Sequence, residues 1–283
     1  MSQGNASRPI GRRAVITAGL LAGAGGLLWV GRDTIGPIAE DLFDQTQDGV
    51  RGPRPRPSAV DQQGLESYAH LADARLYYEI TSRPVAFWME PGFAQRLDAC
   101  LRSHWTAQGW ATPARLTTYG TWIAADGQAD SWHHAGRAFD VGRVVAADGS
   151  DLVSCRYDLW GERSGAAKRS AERAYWQLAA SLHRDFAYVL TYLFDNAHHN
   201  HIHVDDGRSG EGRSSFSRGM RVQVQAVQAM CVHVWGRELD ITGSWDAPTR
   251  QVTGEILREA GIGGSLVGDA QWHAFLTATA ARR

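Results

Sequence analysis

The sequence predicts an α+β fold, in which a small mixed or antiparallel sheet with flanking helices precedes a small all-α module. Two observations carry this prediction. Between about residues 60 and 210, stretches with helical spacing alternate with short segments rich in Thr, Tyr, Val and Phe. After a break rich in Gly, Ser and Arg, the last ~65 residues show helical spacing alone.

The individual elements follow from local pattern. Phe93, Leu97 and Leu101 recur at four-residue spacing and predict a helix over about 90–110, with Pro91 in its first turn. The remaining predicted elements are strands over 115–123 and 139–145, a helix over 164–182 with Ser164 as N-cap, and strands over 188–194 and 201–204. Helices and strands in this order place the α+β domain at 61–207, followed by a linker over 208–220 and a helical module over 221–283.

The N-terminal segment, residues 1–31, has the pattern of an export signal. Arg12 and Arg13 directly precede an uncharged stretch over 14–30, and this arrangement resembles a twin-arginine signal. We expect the segment to be either removed or kept as a membrane anchor, with the rest of the chain in the periplasm or cell envelope. Residues 32–60 are expected to be a linker. Near the end of this segment, residues 51–58 alternate Pro with Arg, and a Pro-rich stretch favours a stiff, extended chain.

Composition excludes several classes of protein. Apolar residues make up 43% and charged residues 21%, which is ordinary for a folded chain and excludes global disorder. A net charge of −1 argues against a general electrostatic grip on nucleic acid. Three cysteines do not make a disulfide scaffold. Cys100 and Cys155 can pair in an oxidising compartment, and with Cys231 three pairings are open. The simpler interpretation for at least one of the three cysteines is a small buried thiol.

Six of the 11 histidines lie at only two places, 133–134 and 198–203. If 201–204 is extended, His201 and His203 lie on the same face of the strand. Asp140 begins another predicted strand and can meet them across a sheet, while His133 lies in the loop that leads into that strand. Two imidazoles and one carboxylate are a common catalytic zinc set, with the fourth position left to water.

These residues carry a family resemblance. Residues 131–140 match S-x-H-x-x-G-x-A-x-D, and residues 201–203 match the H-x-H that follows it. Together the two motifs resemble the zinc D-Ala-D-Ala carboxypeptidase and murein endopeptidase group, with the greatest likeness to the extensin-like C-terminal domain. The resemblance covers about 85–206. It implies that His133, Asp140 and His203 bind Zn²⁺, and that His201 acts beside the reacting water as a base or stabilises the tetrahedral intermediate.

The sequence departs from that family pattern in two ways. Some relatives carry an acid three positions before the last ligand, where this chain has Asn200, so proton transfer is assigned to His201. Relatives also often place an Arg upstream of the first motif, and residues 119–125 contain none. Arg115, Arg137 and Arg143 are the candidates to replace it. The substrate-binding residues are not otherwise predicted.

Other polar residues around the motifs are given lesser roles. Asp205 and Asp206 are either outer partners that orient a ligating imidazole or an exposed turn, and we expect the turn for Asp206. The remaining histidines of the two clusters are expected to line loop edges without binding the metal. These are His134, His198 and His199.

The helical module resembles a peptidoglycan-binding three-helix repeat. The likeness rests on the run 224–228, on the turn that ends at Gly243 and on the helix start at 246–249. The alternative is a helical cap packed on the α+β domain.

Together the resemblances imply an exported zinc peptidase that hydrolyses the stem peptides of peptidoglycan, as a D,D-carboxypeptidase or endopeptidase. The alternative is a non-catalytic, zinc-containing cell-wall-binding protein. In either case the expected partners are peptidoglycan peptides and the cell wall, with no nucleic acid, and with the membrane only through the N-terminal segment.

Overall fold

A computed structural model describes residues 58–125, 131–207, 209–210 and 212–283. The predicted export signal over 1–31 and the linker up to residue 57 lie outside these described residues. Within the described ranges, no helix has the length and apolar character needed to cross a bilayer.

The described residues form ten strands and six α-helices. The strands are β1 (Glu66–Tyr68), β2 (His70–Leu71), β3 (Ala74–Tyr78), β4 (Arg83–Pro84), β5 (Phe87–Met89), β6 (Arg115–Thr118), β7 (Ala138–Val145), β8 (Asp151–Ser154), β9 (Tyr188–Leu190) and β10 (Ile202–Asp205). The helices are α1 (Pro91–Gln108), α2 (Tyr157–Trp160), α3 (Gly165–Asp185), α4 (Arg221–His233), α5 (Ala247–Glu259) and α6 (Asp269–Ala281).

The main sheet is mixed, which confirms the predicted fold class. Its strands run in the order β2-β3-β6-β7-β10-β9, with β4 added to β3 and β8 added to β7. The β3–β6 pair is parallel and the other pairs are antiparallel. A separate two-stranded ribbon is formed by β1 and β5. Because β7 and β10 are inner neighbours in this sheet, residues on these two strands are held in fixed register.

Local capping sets the bounds of α1 close to the prediction. The Glu90 carboxylate accepts hydrogen bonds from the N–H groups of Gly92 and Phe93, and Pro91 occupies the first turn. The helix ends at Gly109, whose φ of 65° is left-handed. Ser164 precedes α3 as predicted, but its side chain makes no capping hydrogen bond.

Two predicted strands are shorter in the structure. The strand predicted over 115–123 ends at Thr118, where the pairing with β7 shifts register. Beyond that point the backbone bonds to the residues that carry the histidine motif: Tyr119 N–H donates to the Asp140 carbonyl, and Ile123 N–H donates to the His133 carbonyl. The strand predicted over 188–194 likewise ends at Leu190.

The C-terminal helices share one hydrophobic core with the sheet domain. Buried residues of α4, α5 and α6 belong to the same cluster as those of α1, α3 and the sheet. Helix α3 lies at the junction, packing against α1 on one side and against α4 and α6 on the other. These helices therefore pack on the α+β domain, in the manner of the helical cap that the sequence left as an alternative.

The three cysteines are all free and buried. The pairing of Cys100 with Cys155 that the sequence left open is not formed. The Cys100 thiol instead donates to the carbonyl of Ser181. Burial raises the pKa of the Cys155 thiol well above its usual value, so this group is an apolar core residue rather than a reactive thiolate.

His183 in α3 provides a stability prediction. Its side chain is fully buried, and neither ring nitrogen has a hydrogen-bond partner in the described part of the chain. Burial lowers its pKa to about 3, whereas an unfolded histidine has a pKa of about 6.5. Below pH ~6.5 the unfolded chain therefore binds a proton that the folded chain does not, and the free energy of unfolding falls as the pH drops.

We expect His183→Leu to raise the free energy of unfolding by about 1–2 kcal/mol at pH 7, because an unpartnered buried polar group is removed. The gain is expected to be larger at pH 5, because the proton-binding penalty also disappears. Thermal unfolding at both pH values measures this, with exposed His70→Gln as the matched control. Lower stability of the Leu variant at both pH values would contradict the prediction.

Candidate metal centre

His133 lies in a short 3-10 turn, Trp132–Ala135, that leads into β7. The hydroxyl of Ser131 accepts a hydrogen bond from His133 N–H and caps the start of the turn. Gly136 ends the turn with a φ of 66°. A Cβ added at Gly136 would lie 2.6 Å from the side chain of Leu65, so both the backbone conformation and the space favour glycine here.

Asp140 and His203 face each other across the sheet. They are register partners on β7 and β10, and His203 Nδ1 lies 2.9 Å from Asp140 Oδ1. His133 Nε2 lies 3.3 Å from the same carboxylate oxygen. One ligand atom from each of the three residues lies within 4.8 Å of the others. The structure thus brings together the three predicted metal ligands in a cluster that can hold a metal ion.

Each imidazole in the cluster is oriented by a second hydrogen bond. Nδ1 of His133 donates to the carbonyl of Thr121, which leaves Nε2 directed at Asp140. Nε2 of His203 lies 3.1 Å from Asp205 Oδ2, while Nδ1 faces Asp140. Asp205 is itself held by the N–H of Gly207. Metal-binding histidines commonly have such a partner on the other ring nitrogen, because it fixes the tautomer and the ring orientation.

The carboxylates and imidazoles of the cluster shift one another's pKa values. Burial alone would raise the pKa of Asp140, but His133 and His201 hold it well below its usual range. Burial also opposes charge on His203, yet the carboxylates of Asp140 and Asp205 raise its pKa to about 10. The carboxylates of Asp140 and Asp205 thus favour a positive charge between them, and a bound cation would meet the same need.

His201 lies beside the cluster and outside the ligand set. Its Nε2 is 3.5 Å from Asp140 Oδ1, and its Nδ1 is 2.6 Å from the side-chain oxygen of Asn200. An amide oxygen can only accept, so Nδ1 carries the proton and Nε2 presents a lone pair. Burial lowers the pKa of His201 to about 4 and keeps the ring neutral. Asn200, where some members of the resembled family carry an acid, therefore orients the His201 ring through this hydrogen bond.

His198 is closer to the centre than the sequence indicated. It is buried, and its ring centroid lies 5.0 Å from that of His201 and 6.0 Å from that of His203. Its Nδ1 is 2.7 Å from Asp195 Oδ1. The spacing Asp195-x-x-His198, one turn before His201, is the signal that could have identified it. His134 and His199 lie outside the ligand cluster, as expected, with His134 Nδ1 bonded to the carbonyl of Ile123.

Asp206 is not the exposed turn residue that we expected. Its side chain is 1% exposed and forms ion pairs with Arg96 of α1 and with Arg137. The prediction of an exposed Asp206 was wrong because Arg96 is 110 residues away in sequence, and no local sequence pattern indicates an ion pair over that separation. A Cβ on the following residue, Gly207, would overlap the Trp132 ring at 2.2 Å. These contacts fasten the end of β10 to the turn that carries His133.

The three arginines considered as replacements for the upstream Arg are all engaged. Arg115 packs over Tyr77, Arg137 pairs with Asp206, and Arg143 pairs with Glu79. Arg156, which the sequence did not single out, packs over the ring of Tyr119, with its guanidinium carbon 5.9 Å from the ring centroid.

The Tyr119 ring in turn lies 5.7 Å from that of His201. The Tyr119 ring therefore lies between Arg156 and His201, next to the candidate metal centre. Arg156 also forms ion pairs with Glu79 and Asp158.

We expect Asp205→Asn to weaken metal binding by about 10–100-fold without removing a ligand, which is the usual effect of losing a partner that orients a ligating histidine. The amide keeps the shape of the carboxylate but loses its charge. Zinc titration against a competing chelator measures the change. Asp240→Asn, at an exposed position in the helical region, is the control, and metal affinity equal to wild type in Asp205→Asn would contradict the prediction.

Comparisons of the chain with protein-family models, curated proteins and solved structures found no match. The described part of the chain defines an α+β protein with a largely buried His-Asp-His cluster that can hold a metal ion, in which His203 is buried and His133 and Asp140 are partly exposed. The cluster itself does not specify which metal.

Proposed function

We propose that this protein is an exported zinc peptidase that hydrolyses the stem peptides of peptidoglycan, as a D,D-carboxypeptidase or endopeptidase. The observation that carries the proposal is the cluster of His133, Asp140 and His203 with His201 beside it. Two imidazole nitrogens and one carboxylate form a donor set typical of catalytic zinc. The motif resemblance supplies the substrate class, and the Arg12-Arg13 pair before an uncharged stretch supports export.

Zinc, when bound, supplies Lewis-acid polarisation of the scissile carbonyl and lowers the pKa of water. The other roles belong to this chain's own residues. Nε2 of His201 accepts the proton of the attacking water and delivers it to the leaving amine. Asn200 keeps that nitrogen unprotonated by holding the proton on Nδ1. Asp205 and Thr121 keep the two ligating rings in place, so that little reorganisation is needed during the reaction.

The experiment compares zinc-loaded and chelator-treated protein on purified muropeptides, both linear peptides that end in D-Ala-D-Ala and cross-linked dimers. We expect new peptide termini by mass spectrometry with the zinc-loaded protein, none after chelation, and recovery after one equivalent of zinc. Cleavage that persists after complete metal removal would overturn the proposal. The linear and cross-linked substrates separate carboxypeptidase from endopeptidase activity.

A second candidate, a non-catalytic wall-binding protein that keeps the zinc centre, is favoured by Asn200 in place of an acid and by the absence of Arg from 119–125. It predicts sedimentation with purified cell wall and one bound zinc, with all muropeptides intact. If the helical module binds the wall, as its resemblance implies, it does so as part of the body that carries the zinc cluster, because both share one core.

A further inference from the structure

A pocket of about 630 Å³ is lined by ten residues, none of which takes part in the proposed reaction. Its volume is within the roughly 300–1,000 Å³ range of small-molecule sites. Three separate segments line it: the first described residues around the turn Gln62–Gly64, strand β5 through Trp88, and the stretch after β6 through Trp122.

Both tryptophans are held in place by the backbone around them. Trp122 Nε1 donates to the carbonyl of Val60 at 3.1 Å. The hydroxyl of Thr121 donates to the carbonyl of Trp88 at 2.8 Å. Met89, next to Trp88 on β5, is buried in the core, so alternation along the strand turns Trp88 to the opposite face. Both rings are half-buried, which leaves part of each free for a ligand.

The polar groups of the pocket indicate an uncharged ligand. Gln62 and Gln63 contribute amides that both donate and accept hydrogen bonds, and Asp61 is the one charged residue among the ten that line the pocket. No Lys or Arg is among those lining residues, so phosphate and carboxylate ligands lack a partner there. Aromatic surfaces beside planar amides suit a sugar ring, which has an apolar face of C–H groups and a rim of hydroxyls and amides.

The pocket is joined to the loop that carries His133. Leu65, another lining residue, is in contact range of Gly136 at the end of the His133 turn. Val60 N–H donates to the His134 carbonyl at 3.0 Å. Trp122 follows Thr121, whose carbonyl orients the His133 ring. A sugar in the pocket and a peptide at the metal centre would therefore contact adjoining parts of one surface.

We infer that the Trp88–Trp122 pocket binds N-acetylhexosamine units of the wall glycan while the stem peptide reaches the metal centre. The choice of this sugar rests on the proposed function. Sugar binding itself requires neither metal nor hydrolysis, so the two proposals can fail separately.

The test uses the β-1,4-linked tetramer of N-acetylglucosamine, which carries no peptide, in calorimetric titrations with the full chain. We expect saturable binding that Trp122→Ala and Trp88→Ala each weaken at least tenfold. Removal of both amides, Gln62→Ala with Gln63→Ala, is expected to weaken binding about thirtyfold, because each of the two hydrogen bonds contributes ~1 kcal/mol, or about fivefold. Leu159→Ala, an exposed apolar position outside the pocket, is the matched control and should stay within twofold of wild type.

The paired Gln variant decides the question if a Trp variant unfolds, since both amides lie on an exposed turn. No binding of the tetramer, equal binding by all pocket variants, or preferential binding of choline, the cation that an aromatic cage with one carboxylate would take, would overturn the inference. The chelator-treated wild type should still bind the tetramer, because none of the three candidate metal ligands lines the pocket. If the wild type binds the tetramer and cleaves no muropeptide, the peptidase proposal fails and the pocket inference stands.

Discussion

His203→Ala is expected to abolish stoichiometric zinc binding and, with it, muropeptide hydrolysis. The substitution removes the nitrogen that faces Asp140 across β7 and β10. The loss of affinity should exceed the roughly 10–100-fold effect of losing an outer partner, because a ligand itself is removed. Equilibrium dialysis with elemental analysis measures the zinc, and mass spectrometry measures cleavage.

The same substitution should also lower stability, since it leaves Asp140 and Asp205 without the imidazole between them. Removing one partner of a buried charged group typically costs about 3–5 kcal/mol. His134→Ala is the matched control: it removes the neighbouring imidazole, which bonds to the Ile123 carbonyl and lies outside the cluster. Wild-type zinc affinity in His203→Ala would show that the cluster is not the metal centre.

Local sequence pattern was sufficient for most of the fold. The periodicity of Phe93, Leu97 and Leu101 predicted α1 because one face of a helix must bury its apolar residues, and those residues are buried in the core. Pro91 in the first turn indicated where the helix begins, and the structure adds the Glu90 cap and the left-handed Gly109 at its two ends. Strand ends were less predictable, because the chain after Thr118 leaves the ladder to bond with the residues around His133.

The candidate site was predictable only where the information lay within short motifs. The motif resemblance carried by residues 131–140 and 201–203 implied the set His133, Asp140 and His203, which the structure brings together. The ion pairs of Asp206, the approach of His198 and the position of Arg156 next to Tyr119 depend on elements distant in sequence. The pocket was missed for the same reason, since its lining comes from three separate segments.

The sequence left the packing of the helical module open between a separate wall-binding repeat and a cap on the α+β domain. Its spacing predicted helices, and α4, α5 and α6 are present. Spacing does not specify which surface the apolar face covers, and the structure shows that α4 and α6 cover α3. This helix therefore contributes to both parts of the core, which is why truncation of the module would expose the apolar surface of α3.

His201→Ala is expected to separate metal binding from catalysis. The variant keeps all three ligands, so it should bind one zinc, while hydrolysis falls by about 10²–10⁴-fold because the group that moves the proton is lost. The fall should appear in kcat rather than in KM. Asn200→Ala is the graded comparison: it removes only the hydrogen bond that holds the Nδ1 proton, worth ~1 kcal/mol, and should reduce kcat about fivefold.

Steady-state kinetics on a linear muropeptide, with zinc content measured on the same samples, tests both variants. If His201→Ala hydrolyses the peptide within a few-fold of wild type, the proton carrier is another group. His198 is then the next to replace, because its ring lies 5.0 Å from that of His201 and Asp195 already holds its Nδ1. If His201→Ala loses zinc as well, His201 belongs to the ligand set, and the division of roles between the two strand histidines must be reversed.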